Sequence, residues 1–195
     1  MRKLIAAFIF TALASFAALA QAERAPIVEK DIEYRDWTLK NVKGGGETNL
    51  RKFAAGKKLV MVVYWAPWCL NWRADIPFVN GLHEKYAAQG LSIIGVAEYD
   101  GRSKMENHIE HFKLPFPSVY ETETYGDRLT SEHYKLRTAA GDTRKWGTPW
   151  YVFLDPAALN KEGDVLATKV SLVNGELIPE EAETFIRKRL GLAAE

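Results

Sequence analysis

The stretch Val62-Val63-Tyr64-Trp65-Ala66-Pro67-Trp68-Cys69-Leu70-Asn71-Trp72-Arg73-Ala74-Asp75-Ile76-Pro77 changes its physical character half way along. Its first part closes the run Lys58 to Trp65, continuously β-branched and aromatic, as expected of a strand buried on both faces. From Asn71 to Ala88 the apolar positions Ile76, Val79, Leu82 and Tyr86 recur at helical spacing, with Pro77 as an internal kink. The joint between strand and helix holds Cys69, the one cysteine of the chain. First-turn N–H groups and the helix dipole stabilise an anion at such a place, and a thiolate is the form that attacks disulfides, peroxides or alkylating agents. An inert cysteine packed as a small hydrophobe is the other reading of the same position.

Outward from this joint, strands and helices alternate. Leu91 to Ala97 reads as a second buried strand ended by Asp100-Gly101, Ser103 to Phe112 as a helix and Pro115 to Tyr120 as extended chain. Asp127 to Leu136 reads as a helix, residues 138–147 as a loop, Trp150 to Leu154 and Val165 to Val173 as strands, and Glu180 to Leu190 as an amphipathic closing helix. Before the joint, Tyr34 to Leu39 and Leu50 to Phe53 flank the turn Lys43-Gly44-Gly45-Gly46 and are expected to pair as a hairpin. Alternation of this kind predicts an α/β fold whose parallel strands are joined by right-handed crossovers.

Composition narrows the function classes. A chain of 195 residues suits one domain, expected over 34–195 after a polar run-in at 23–33. With 26 basic and 25 acidic side chains it lacks the basic excess of a nucleic-acid binder. A single cysteine excludes an intramolecular disulfide and any multi-cysteine metal site. Residues 1–22 resemble a secretory leader: Arg2 and Lys3, an apolar stretch from Leu4 to Ala20, and Ala20-Gln21-Ala22 as a cleavage site before Glu23. The apolar stretch is shorter than the ~20 residues of a membrane span, so an exported soluble protein is expected rather than an anchored one. In a bacterium that compartment is the periplasm, where an unpaired cysteine stands out because the surroundings are oxidising.

The joint resembles the active-site stretch of periplasmic thioredoxin-like thiol-disulfide oxidoreductases of the TlpA/ResA type, whose pattern is W-A-x-W-C-x-x-C-x-x-E-x-P. Gly147-Thr148-Pro149, followed by the strand from Trp150, resembles the same family's cis-proline loop, which faces the cysteine and lines the substrate groove. The resemblance runs from about residue 33 to the C-terminus. It implies a thioredoxin-like fold, with a central mixed sheet, helices on both faces and an N-terminal β-hairpin extension. The departure is informative. The second cysteine of the family falls on Trp72, so no thiol of this chain can resolve a mixed disulfide formed at Cys69. Val63 replaces the buried acid of cytoplasmic thioredoxins, and Asp75 matches the family's glutamate. The resemblance implies that Asp75 influences the thiol; a helix-terminal acid interacting with the dipole is the alternative.

Five of the six tryptophans fall in the two segments the fold would bring together. Trp68, Trp72, Trp146 and Trp150, with Thr148 and Pro149, are the expected substrate-binding residues, an aromatic wall beside Cys69; the alternative is that the extra rings fill space around a lost site. Arg137, Arg144 and Lys145 flank the loop, either meeting carboxylates or lying in a solvated loop. His108 and His111, with Glu106 and Glu110, have metal-like spacing but no third ligand cluster, and no metal or other cofactor is expected. Ala66 and Val62 stand where peroxiredoxins carry Thr and Pro, against a peroxidatic centre. The resulting expectation is a monothiol redoxin. Cys69 and Asp75 form its catalytic pair, and its partner is a protein or low-molecular-weight thiol or disulfide, not nucleic acid. The rival expectation is a thioredoxin-fold peptide-binding module or holdase with its chemistry gone.

Overall fold

A computed structural model describes residues 23–193. The expected leader at 1–22 lies outside the described residues. The elements in chain order are β1 (Arg24–Ala25), β2 (Val28–Arg35), β3 (Thr38–Asn41), β4 (Glu47–Asn49), α1 (Leu50–Ala54), β5 (Leu59–Trp65), α2 (Leu70–Tyr86) and β6 (Leu91–Ala97). They continue with α3 (Arg102–Phe112), β7 (Ser118–Tyr120), α4 (Glu132–Ala139), β8 (Trp150–Leu154), β9 (Val165–Val173), β10 (Glu176–Leu177) and α5 (Pro179–Leu190). An eight-stranded mixed sheet has the order β2-β9-β8-β5-β6-β7-β3-β4, and β1 pairs with β10 beside it.

β5 is the centre of the sheet and is buried along its whole length. It pairs parallel with β6 along its whole length and antiparallel with β8 from Val60 to Tyr64, so the backbone of the apolar run is laddered on both sides. Alternate side chains feed two cores: Met61, Val63 and Trp65 pack with α2, α3 and α5, and Val60, Val62 and Tyr64 with α1 and α4. Burial of this whole strand holds its C-terminal end rigid, and the Cys69 loop leaves from that end.

The N-terminal region differs from expectation in register and type. Tyr34 and Arg35 close β2, which pairs antiparallel with β9. The hairpin is β3 with β4, across a turn in which Gly44, Gly45 and Gly46 all have positive φ. Residues from Leu50 onward are helical because Asn49 caps them, its side-chain oxygen accepting from Lys52 N at 2.9 Å. The polar stretch 23–33 carries β1 and most of β2. Likewise α4 starts at Glu132, not Asp127, because the Ser131 hydroxyl caps it through Tyr134 N; residues Tyr125–Leu129 before it form a 3-10 turn.

Candidate functional site

Cys69 is the N-cap residue of α2, with extended backbone and 8 % of its surface exposed. Its Sγ lies 3.3 Å from the carbonyl oxygen of Thr148, to which the thiol donates. Thr148 belongs to the loop before β8, and the Thr148–Pro149 peptide is cis. The loop itself is held from within. Arg144 reaches the Thr148 and Pro149 carbonyls at 3.5 and 2.9 Å and pairs with Asp142 at 2.7 Å. Arg137, 1 % exposed, donates to the carbonyls of Asp142, Arg144 and Lys145. Neither arginine is a free surface charge; they serve as loop supports. Lys145 alone of the three flanking bases is exposed, its ammonium 5.5 Å over the Trp146 ring.

The tryptophans divide into two groups. Trp72 is fully buried on the inner face of α2, where its indole N–H donates to His108 Nε2 at 2.9 Å and its ring stacks on Trp65 at 6.1 Å. Trp150 is fully buried on the other side of the sheet, its N–H donating to Asn174 Oδ1 at 2.7 Å. Trp68 and Trp146 are half-buried, meet edge to face at 4.9 Å, and both touch Tyr125. The structure therefore does not gather the expected wall. Two of its four rings present no surface, and the rim holds Trp68, Trp146 and Tyr125, a residue the sequence did not single out. The nearest signal for Tyr125 is its Thr124-capped turn in a polar segment.

His108 explains the indole at position 72. Its pKa is lowered to about 4 by burial first and by the Arg73 and His111 charges next, so the ring is neutral and Nε2 is free to accept. The Pro67 carbonyl pulls the other way, and it also accepts from Arg73 Nε at 2.9 Å. Trp72, His108 and Pro67 thus tie α2 and α3 to the loop that presents Cys69. The acids on α3 are engaged elsewhere, Glu106 with Arg102 and Glu110 with Lys43, and His111 is exposed.

A histidine whose folded pKa lies below its unfolded value of ~6.5 supports the fold above that value and loses this contribution as pH falls to the folded value. Stability is therefore expected to decline from about pH 6.5 to about pH 4. His108→Gln should flatten that limb in urea titrations across the window, and an unchanged slope would contradict the assignment. Raised carboxyl groups, Asp75 and Glu98 among them, act with the opposite sign, which is why the comparison is between variants.

The hydrogen bonds of Asp75 go to groups other than the thiol. Its Oδ2 accepts from the Tyr151 hydroxyl at 2.7 Å and from Leu177 N at 3.0 Å, stitching α2 to β8 and β10. Burial raises its pKa, opposed by those hydrogen bonds and by the Arg24 charge. Asp75→Ala leaves a fully buried phenol and an N–H unpaired and is expected to cost about 2–4 kcal/mol. Asp75→Asn keeps the acceptor and should cost far less, and progressively less as pH rises past the ordinary carboxylate range. Equal losses in thermal melts would count against this role.

Behind the loop lies a buried polar network. Glu98, without exposed surface, accepts from Thr122 Oγ1 at 2.5 Å, and burial pushes its carboxyl well above the usual range. Tyr99 has φ 61°, an uncommon left-handed conformation for a bulky residue. Its hydroxyl meets His133 Nδ1 at 2.9 Å, and its carbonyl accepts from Trp68 Nε1 at 3.4 Å.

A single cysteine at a helix N-terminus, touching a cis-proline loop at one end of a mixed sheet with helices on both faces, defines a thiol protein of thioredoxin-like fold. A family model described as AhpC/TSA family matches residues 32–157, and the chain belongs to that family. It is similar to the thiol-disulfide oxidoreductase ResA of Geobacillus thermodenitrificans, 29% identical over 125 residues, which cover 62% of this chain and 64% of that protein. The chain thus spans less than two thirds of the length of the curated relatives it matches. Among solved structures it resembles a thiol:disulfide interchange protein of Chlorobium tepidum, with TM-score 0.57, 18% identity and coverage of 83% of this chain and 98% of that one. A DsbF homologue from Corynebacterium diphtheriae gives TM-score 0.56 at 14% identity, covering 85% and 87%. At these identities the structures establish the fold alone. No helix of the described residues is long and apolar enough to cross a membrane.

Proposed function

We propose that this protein carries out thiol-disulfide exchange with one thiol, outside the cytoplasm after removal of its leader. The observation that carries the reading is the placement of Cys69, at the head of α2 and bonded to the cis-proline loop, while Trp72 fills the place of a second thiol. The Cys69 thiolate attacks one sulfur of a partner disulfide, forming the mixed disulfide and releasing the other sulfur as a thiolate. An external low-molecular-weight thiolate then attacks the Cys69 sulfur, releasing the partner as a thiol, and a second such thiol frees Cys69 and leaves as its own disulfide. The partner is thereby reduced and two external thiols are oxidised. Thr148 and Pro149 align the partner's backbone, Trp68 and Trp146 hold its side chains, and Asp75 fixes α2 beneath the thiol.

The limited exposure of Cys69 favours one rival, a binding module or holdase that uses the groove without chemistry. Non-reducing gels of the wild type and Cys69→Ser separate the two. The exchange reading expects thiol-sensitive adducts in the wild type that vanish completely in the variant. If no adduct forms and Cys69→Ser retains full partner binding, the holdase is left standing.

A further inference from the structure

Three large apolar side chains project into solvent among the described residues: Leu70 at 73%, Tyr125 at 51% and Leu129 at 54% exposure. Leu70 follows Cys69 directly, and the other two belong to the 3-10 turn Tyr125–Leu129, whose tyrosine stacks on Trp68 at 5.8 Å and on Trp146 at 5.6 Å. Apolar surface concentrated at one place on a soluble fold marks an interaction site.

The charges around this rim have one sign to spare. The Arg128 guanidinium lies 5.2 Å over Trp146 and the Lys145 ammonium 5.5 Å over the same ring. Arg128 also donates to the Lys145 carbonyl at 3.0 Å, and neither cation has a carboxylate partner among the described residues. Arg73, one turn along α2 from the cysteine, is likewise without an acid and spends its guanidinium on the Pro67 carbonyl. Of the nearby acids, Asp127 accepts from the Thr124 hydroxyl at 3.2 Å and Asp100 is neutralised by Lys104 at 2.9 Å. Trp68 and Tyr125 also border a cleft of about 550 Å³ lined further on by Arg73 and by the Lys104–Asp100 pair.

We propose that this rim docks an extended, acidic and apolar segment of a partner protein, the segment that carries the disulfide Cys69 attacks; in this it rests on the exchange reading. The Trp68 and Tyr125 rings, propped on Trp146, take the segment's apolar side chains, and Arg128, Lys145 and Arg73 take its carboxylates. Arg128, half-buried over the aromatic face, is partly desolvated, so a carboxylate gains more there than at an open surface. A lysine-bearing segment meets repulsion at the same points.

The test uses full-length Cys69→Ser protein and labelled peptides with serine in place of cysteine, so that binding is read without chemistry. Three peptides share their apolar residues and differ in carrying Asp/Glu, Asn/Gln or Lys. Fluorescence anisotropy at low and physiological salt should show the acidic peptide bound about tenfold tighter than the lysine one, with the gap narrowing as salt rises. The double variant Arg128→Glu/Lys145→Glu should invert that order, and Trp146→Ala should weaken all three, with thermal melts confirming that both fold. Equal affinities for the three peptides, or a preference that survives the double reversal, would overturn the proposal. Adducts on wild-type Cys69 without acidic preference would remove this surface and leave the exchange reading intact. Acidic preference without adducts would do the reverse.

Discussion

Trp72→Cys, which places a second thiol at the spacing of a two-cysteine site, is expected to destabilise the fold by about 3–5 kcal/mol and to yield no dithiol turnover. The indole at this position has no exposed surface, stacks on Trp65 and donates to His108. A cysteine side chain leaves most of that volume empty and strips His108 Nε2 of its donor, and both effects fall on the loop bearing Cys69. Urea denaturation should show the loss directly, with the melting temperature down by about 10 °C for a chain of this size. Trp72→Phe keeps the volume but not the hydrogen bond and should lose only about 1–2 kcal/mol. An insulin-reduction assay on Trp72→Cys should stay at the wild-type baseline. A variant within about 1 kcal/mol of the wild type that also turned over would show that the indole is not a structural member.

Arg137→Met is expected to cost about 3 kcal/mol and to make Cys69 react faster with alkylating agents, because the cis-proline loop is hung on this side chain. The guanidinium is 1 % exposed, lies 3.7 Å from the Asp142 carboxylate and donates to three successive stretches of loop backbone. The loop leaves no slack above it. Gly147 has φ 65°, and a Cβ there would lie 2.2 Å from Arg137 Cδ. Methionine matches the stem but supplies no donor, so the Asp142 and Arg144 carbonyls lose a partner, the Lys145 carbonyl keeps only Arg128, and Thr148 O no longer stands fixed over the thiol. Thermal denaturation and timed alkylation read the two effects together. An unchanged melt with unchanged alkylation would mean that Arg144 alone supports the loop.

Much of the architecture was legible because it is written in local pattern. The apolar run at 58–65 could only be a central strand, the spacing of Ile76, Val79, Leu82 and Tyr86 a helix, and the position of Cys69 between them followed. β2 was not legible, since only Ile32 and Tyr34 of its residues are buried and its partner β9 lies far along the chain. Asn49 and Ser131 are caps whose effect depends on one backbone hydrogen bond each, and missing them displaced the hairpin and the start of α4. In the site, the absence of a second thiol was plain, but the direction of Trp72 was not. Its partner His108 is 36 positions away, and nothing in the spacing of His108 and His111 pairs either ring with an indole. Arg137 and Arg144 looked like surface charges because the carbonyls that bury them belong to a loop without periodicity.

The division of the tryptophans between core and rim also has a spectroscopic consequence. Trp65, Trp72 and Trp150 are shut away from water and will emit toward the blue, whereas Trp68 and Trp146 are half in solvent and will emit toward the red. Trp37, on the far side near β2 and β3, adds a constant background. A disulfide formed at Cys69 sits beside Trp68, its neighbour in sequence, and Trp72, one turn along α2 in the same core cluster, and quenches both, while Trp150 in the other core holds steady. The loss of tryptophan emission on oxidation is therefore an internal gauge of what the thiol carries, readable in unlabelled protein as exchange proceeds.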